Sequence, residues 1–293
     1  MMPLPNRWLT ACFMRYAGTS LLIDCGEGTQ ITMRLQGWSF KAIDYILFTH
    51  YHGDHISGLP GLLLTIGNSG RTEPVTLIGP RNLRKVVEGL LLIASDLPFS
   101  IQYMELNSDA VLPLKDFYVK PFRADHGMPC FGYSVEVRRN PRFLPEKAKA
   151  LEIPIPFWKE LQKGNRVEYE GKAYEPSMVL GEARRGLKVC YCTDSRPRDT
   201  IVAGAEAADL FICEGMYGEE EKQTKAKEYR HMTFQEAAAM AKKAKAKELW
   251  LTHFSPSLVT PYEYLDEAKR IFPNTKIGKD RMTKILKFDE EEN

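Results

Sequence analysis

Short runs dense in β-branched, aromatic and leucine side chains recur along this chain. They fall at residues 11–16, 20–24, 44–49, 74–79, 116–122, 131–137, 187–193, 209–213 and 248–252. Each is long enough for a strand and too short for a typical helix. Stretches with helical spacing lie among them at 29–36, 59–67, 82–93, 234–246 and 261–271. The run "MTFQEAAAMAKKA" carries its own start signal: Thr233 is placed to cap the helix, with Glu236 three residues on to complete a capping box. The lysines of "MAKKAKAKEL" (240–249) read as the wet face of that helix. Strands dominate the first half, and strand and helix alternate in the last third. This pattern predicts an α/β fold with two sheets and helices packed outside them.

Two segments break the pattern. Residues 138–178 are rich in Lys, Arg, Glu and Pro and lack long apolar runs, so they read as an inserted arm with a short helix and a hairpin-like piece. "EEEKQTKAKEYR" reads as a charged linker leading to His231. The sequence shows no internal repeat and no low-complexity tract.

Composition narrows the class. A chain of 293 residues, 44% apolar and 27% charged, is ordinary globular protein and can build a sizeable core. No apolar run approaches the roughly 20 residues a membrane span needs, and the N-terminus has no apolar signal core. No membrane partner is expected. A net charge of +2 leaves a nucleic-acid partner to local patches rather than to bulk charge. The six cysteines form no C-x-x-C pair, and most lie in strand-like runs, as small buried side chains of a reducing cytoplasm do.

The histidines carry the candidate chemistry. "THYHGDHISG" places His50, His52, Asp54 and His55 directly after the apolar run at 44–49. Imidazole and carboxylate are ligands that suit zinc, and Gly53 is expected to let the backbone turn sharply between them. Outside this cluster, "FTH", "CTD" and "LTH" repeat one arrangement, an apolar strand, a threonine and a ligand-type residue, at His50, Asp194 and His253. A lone histidine after a strand is ordinarily a hydrogen-bonded surface group, so the inference is collective. With His126 there are seven candidate ligands, a number that suits two metals. His50, His52 and His126 are assigned to one, Asp54, His55 and His253 to the other, and Asp194 bridges. Such a pair can hold a hydroxide and clamp both sides of a displacement. His231 remains free for proton transfer.

The order His-x-His-x-Asp-His, then His, Asp and His, resembles the metallo-β-lactamase superfamily. "DCGEGTQ" (24–30), "HGMPCFGY" (126–133), "TDSRP" (193–197), "ADLFICEGMY" (208–217) and "HMTFQEAA" (231–238) narrow the resemblance to the ribonuclease Z family of tRNA 3′-processing endonucleases. The resemblance implies a four-layer αβ/βα sandwich over residues 1–293, a single domain with residues 138–178 as an inserted arm and candidate tRNA exosite. It implies two zinc ions per subunit, with manganese as the alternative, a tRNA precursor as substrate, a cytoplasmic homodimer, and a cut that leaves a 3′-hydroxyl on the tRNA and a 5′-phosphate on the trailer. Asp54 would bind metal and move protons. His231 would lie at the scissile phosphate with Glu214 behind it. Asp24 would support the ligand loop, and Thr233 would help position phosphate beside its capping role. Arg142, Lys147, Lys149, Lys159 and Lys163 would contact RNA from the arm, where Phe157 and Trp158 sit among the cations.

The chain departs from the family pattern in three places. The strand and Gly-Thr turn expected ahead of "PLPNRWLTA" are absent, so the first strand of the fold is expected to be missing. His231-Met232-Thr233 stands where His-Ser-Thr is usual. "IPIPFW" replaces a Gly-Pro in the arm. Two other functions share part of these features: a different dinuclear zinc hydrolase acting on small phosphodiesters or thioesters, and a non-catalytic RNA-binding module.

Overall fold

The computed structural model describes residues 2–94, 96–107 and 109–289. Its first sheet has five strands: β1 (Cys12–Tyr16), β2 (Thr19–Ile23), β3 (Ile43–Leu47), β4 (Val75–Gly79) and β5 (Ile101–Glu105). They lie in sequence order, β1 antiparallel to β2 and the others parallel. The connections are α1 (Thr29–Leu35), the one-turn α2 (Gly53–Ile56), α3 (Leu59–Asn68) and α4 (Leu83–Leu90). Ile46 and Leu77 from the strands meet Leu63 and Val87 from the helices in one buried cluster.

The chain then forms β6 (Leu112–Leu114), β7 (Phe117–Arg123) and β8 (Phe131–Arg139). The inserted segment follows, with α5 (Pro145–Ala150), α6 (Ile155–Gln162) and a hairpin of β9 (Val167–Tyr169) and β10 (Lys172–Tyr174). It leads to β11 (Arg184–Cys192), α7 (Asp199–Gly204), β12 (Leu210–Glu214), α8 (Gln223–Tyr229), α9 (Phe234–Lys243), β13 (Leu249–Thr252), α10 (Leu265–Ile271) and β14 (Thr275–Ile277). The second sheet runs β14-β13-β12-β11-β8-β7-β6, and β11 to β14 are parallel. Phe211 and Leu251 from its strands pack with Phe234 and Ala237 of α9 and Ala268 of α10. The two sheets meet through Tyr133, whose hydroxyl donates to the Phe48 carbonyl, and through the Phe131 N–H on Thr49. Helices therefore cover the outer face of each sheet, giving the four layers of a metallo-β-lactamase sandwich.

The chain divides into two compact units, one of residues up to Glu136 with Lys188–Ile285, the other Val137–Leu187 joined by residues from Leu286. The second unit has a small core of its own. Ala148, Ile153, Leu161, Tyr174 and Val179 are buried, and Phe157 and Trp158 pack against them. Trp158 donates its indole N–H to the Ile153 carbonyl at 2.8 Å. The two aromatics expected among the RNA-facing cations are thus structural, and the arm holds two short helices rather than one.

Other expectations also change. Residues 82–93 are a helix only to Leu90 and finish in a 3-10 turn, Leu91–Ile93. The charged linker at 219–230 is helical: α8 buries Ala226 against Met216 and Tyr217, so one small apolar residue docks an otherwise charged segment. Strands β5, β6 and β14 were not expected, because three to five residues without long apolar runs give too little periodicity.

Candidate metal centre

Parallel strands bring the ligand-type residues together. In the first sheet Ile23 pairs with Leu47, so Asp24 and the Thr49–His50 segment emerge at one edge. In the second sheet Cys192 pairs with Cys213 and Glu214 with Thr252, which delivers Asp194, Glu214 and His253 to one edge. Three of these strand-end residues have left-handed backbone: Asp24 at φ 59°, Asp194 at 44° and His253 at 57°. Such conformations cost about 1–3 kcal/mol each and persist where surrounding bonds fix them.

Asp24 shows how one is fixed. Fully buried, its carboxylate accepts from the Thr49 N–H at 2.8 Å, from the Thr49 hydroxyl at 2.9 Å and from His55 Nδ1 at 2.8 Å. With Nδ1 held by Asp24, His55 turns Nε2 toward Asp194. His52 stands immediately before α2, and Asp54 and His55 lie within that helix. Gly53 is an ordinary helical residue with open space where a Cβ would go, so it is not the conformational hinge expected. The demanding glycine is Gly26 of the "DCGEGTQ" loop. A Cβ there would stand 2.3 Å from the Asp54 carbonyl oxygen. The same loop holds α2 through Cys25 N–H on the His55 carbonyl at 2.7 Å.

The seven ligand-type residues form two groups around Asp194. Its Oδ2 lies 3.7 Å from His50 Nε2 and 3.7 Å from His126 Nε2, while His52 Nδ1 is 3.0 Å and 3.1 Å from those nitrogens. Its Oδ1 lies 3.2 Å from both His55 Nε2 and His253 Nε2, and Asp54 Oδ2 is 3.6 Å and 3.4 Å from the same two. His55 Nε2 and Asp194 Oδ1 are buried and have no hydrogen-bond partner among the described residues. A buried imidazole nitrogen and carboxylate oxygen this close need positive charge between them, a proton or a metal ion. The imidazole and carboxylate donor set matches a divalent transition metal, so the residues fit a metal site.

Charges agree with a ligand cluster. Burial and the neighbouring imidazoles push His50 down to about 2, and burial also lowers His126, so both are neutral. Burial would raise Asp54, but the bond with His253 and the nearby imidazoles outweigh it and hold the carboxyl below its usual range. Asp194 is lowered in the same way by His253 and His55. His55 differs from His50 and His126: burial lowers it, but Asp194 and Asp24 outweigh that and raise it, so the two carboxylates favour positive charge at this point.

His231 follows Arg230, whose left-handed φ of 58° ends α8, and precedes Thr233, which caps α9 in a complete capping box with Glu236. His231 Nδ1 lies 2.9 Å from Glu214 Oε2, and Glu214 Oε1 accepts the Ser195 N–H. Fully buried Glu214 thus ties the Asp194 loop to His231. Burial lowers His231, but Glu214 more than compensates and raises it. Its ring centre is 5.4 Å from that of His126 and 5.7 Å from that of His253. Arg196 is a residue the sequence reasoning missed. Its guanidinium pairs with Glu236 and donates to the His231 carbonyl. Its signal in the sequence is its place two residues after Asp194 in "TDSRP".

The expected arm cations are all exposed. Lys163 pairs with Glu160 at 2.6 Å, whereas Arg142, Lys147, Lys149 and Lys159 have no ion-pair partner among the described residues.

Comparisons with known proteins bear on this site. A ribonuclease Z from Lachnoclostridium phytofermentans is 56% identical over 293 residues, covering 100% of this chain and 96% of the relative. This chain belongs to the ribonuclease Z family. As a member it is a metal-dependent hydrolase, an endoribonuclease with the metallo-β-lactamase fold. The crystal structure of human tRNase Z, short form, superposes with a TM-score of 0.67 at 27% identity, covering 96% of this chain and 94% of that one. The metallo-β-lactamase fold protein YhfI from Bacillus subtilis does so with a TM-score of 0.65 at 21% identity, covering 95% and 91%. The family described as anti-Pycsar protein Apyc1 matches residues 5–132, which include five of the seven ligand-type residues.

Proposed function

We propose that this ribonuclease Z removes the 3′ trailer from tRNA precursors, with two zinc ions per subunit held by the seven-residue cluster. The observation that carries the reading is the division of Asp194: one oxygen faces His50 and His126, the other faces His55 and His253. His50, His52 and His126 would hold one ion, Asp54, His55 and His253 the other, and Asp194 both. Manganese is the alternative metal, since the donor set accepts it. Bound metals supply Lewis acidity, which neutralises phosphoryl charge and makes a water nucleophilic near neutral pH.

The chain's own residues do the rest. Asp24 orients His55, and Glu214 orients His231 so that Nδ1 is engaged and Nε2 faces the reaction. Attack of water oxygen on phosphorus breaks the bond to the 3′-oxygen of the tRNA. His231 gives its Nε2 proton to that leaving oxygen, and Asp54 accepts the proton of the attacking water. The products are a tRNA with a 3′-hydroxyl and a trailer with a 5′-phosphate. Thr233, fixed at the start of α9, stands beside His231 as a phosphate contact. Arg142, Lys147, Lys149, Lys159 and Lys163 on the arm would bind the tRNA backbone.

We place the enzyme in the cytoplasm as a homodimer. No helix among the described residues is long and apolar enough to cross a membrane. End-group analysis of both products from a 3′-extended tRNA precursor tests the chemistry. A 5′-hydroxyl on the trailer would contradict it.

A further inference from the structure

The cavity beside the ligand cluster measures about 220 Å³, and two of its lining side chains, Met216 and Tyr229, have no ligand or acid–base role. Met216 is buried, with Tyr217 and Ala226. Tyr229 is different: its ring lines the cavity yet is 54% exposed. Packing does not account for an aromatic ring held there, at the mouth of a reaction centre.

Its placement is fixed. Ala226 docks α8, and Arg230 ends the helix at φ 58°, making Tyr229 the last helical residue. The His231 N–H then bonds the Ala226 carbonyl at 2.8 Å, so Tyr229 and His231 turn into the same cavity. Arg230 donates to the His126 carbonyl at 3.0 Å and braces this corner against the loop bearing His126. Lys225 Nζ lies 5.9 Å from the Tyr229 ring centre. An exposed aromatic face with a cation beside it, next to a site that hydrolyses phosphodiesters, is the arrangement that single-stranded nucleic acid requires: a base stacks on the ring and the adjacent phosphate meets the cation.

We infer that Tyr229 is the stacking platform for a nucleobase flanking the scissile phosphate, with Lys225 as its phosphate contact. The inference rests on the ribonuclease reading above and adds how the chain grips the single-stranded junction where the cut falls. Because stacking is tolerant of base identity, this platform would position the strand without selecting its sequence.

The test is single-turnover cleavage of a 3′-extended tRNA precursor and of two versions carrying an abasic nucleotide, one immediately 5′ and one immediately 3′ of the cut. Wild-type enzyme should cut the intact precursor and lose roughly tenfold in rate on one abasic version. Tyr229→Ala should lose a similar factor on the intact precursor and little more on that abasic version. Tyr229→Phe, which keeps the ring, should behave as wild type. Wild-type indifference to both abasic versions overturns the inference without appeal to any variant. Losses that multiply at both positions, or a Tyr229→Phe as impaired as Tyr229→Ala, also overturn it. Failure of wild type to cut the intact precursor would remove the ribonuclease reading, and this inference with it; cutting without coupling removes this inference alone.

Discussion

His55 Nε2 and Asp194 Oδ1 lie 3.2 Å apart, buried, each without a hydrogen-bond partner among the described residues. His55 Nδ1 is already committed to Asp24 at 2.8 Å, so its second nitrogen is left facing Asp194 alone. An imidazole nitrogen and a carboxylate oxygen this close, away from water, mark where positive charge belongs, as a proton or as a metal ion.

Asp194 should matter to both halves of the cluster, because its two oxygens face different histidines. Metal analysis should find about two ions per wild-type chain and about one in His126→Ala. Asp194→Ala should retain fewer than His126→Ala. Equal loss in the two variants would deny Asp194 its bridging place.

Asp24 should act through His55, which it contacts at 2.8 Å. Asp24→Ala removes the acceptor that fixes the His55 ring, and such supporting changes ordinarily cost about 10–100-fold in metal affinity. Competition with a chelator would measure it. Unchanged affinity would make Asp24 a fold element only.

His231 touches no ligand group through a hydrogen bond, and Glu214 holds it from behind. His231→Ala should keep its metal and cut more slowly by about 10²–10⁴-fold, the usual contribution of general acid–base catalysis. Glu214→Gln should lose less, since an amide oxygen can still accept from Nδ1. Full cleavage by His231→Ala would take His231 out of the mechanism.

Much of this site was legible in the sequence, and the reason is chemical. Metal ligands come from few residue types, and parallel strands bring their ends to one edge, so His50, Asp194 and His253 could be grouped from "FTH", "CTD" and "LTH" alone. What was hidden depends on neighbours remote in sequence. Gly26 matters because the Asp54 carbonyl passes where its Cβ would be. Arg196 matters because Glu236 and the His231 carbonyl fold onto it. The helical state of 223–229 turned on one alanine, and the core of the arm on single apolar residues spread through a charged segment. Periodicity cannot register contacts of that kind.

Acid stability has an identifiable contributor at the opposite end of β13 from His253. Buried Glu248 would be raised by burial, but Lys284 at 2.6 Å, the Trp250 indole N–H and Lys276 at 3.1 Å outweigh that and lower it. A depressed carboxyl stabilises the fold above its unfolded value near about 4.3, and that contribution is lost as pH falls through the folded value. Glu248→Gln should therefore melt a few degrees below wild type at pH 7, and the gap should close below about pH 4. A gap that is constant with pH would assign the effect to packing.

The arm should act through charge. Charge-reversal of Lys147, Lys149 and Lys159, exposed and without ion-pair partners among the described residues, should weaken tRNA binding and flatten its salt dependence. Hydrolysis of a small phosphodiester should be much less affected. Unaltered tRNA affinity would exclude these cations from the exosite.

The most direct test of the whole account is to map the cut on a 3′-extended tRNA precursor with and without chelator, and again after zinc or manganese is restored. The account predicts one cut, immediately 3′ of the discriminator nucleotide, abolished by chelation and recovered with metal. Cleavage that persists without metal, or an intact precursor alongside rapid hydrolysis of a thioester, would contradict it.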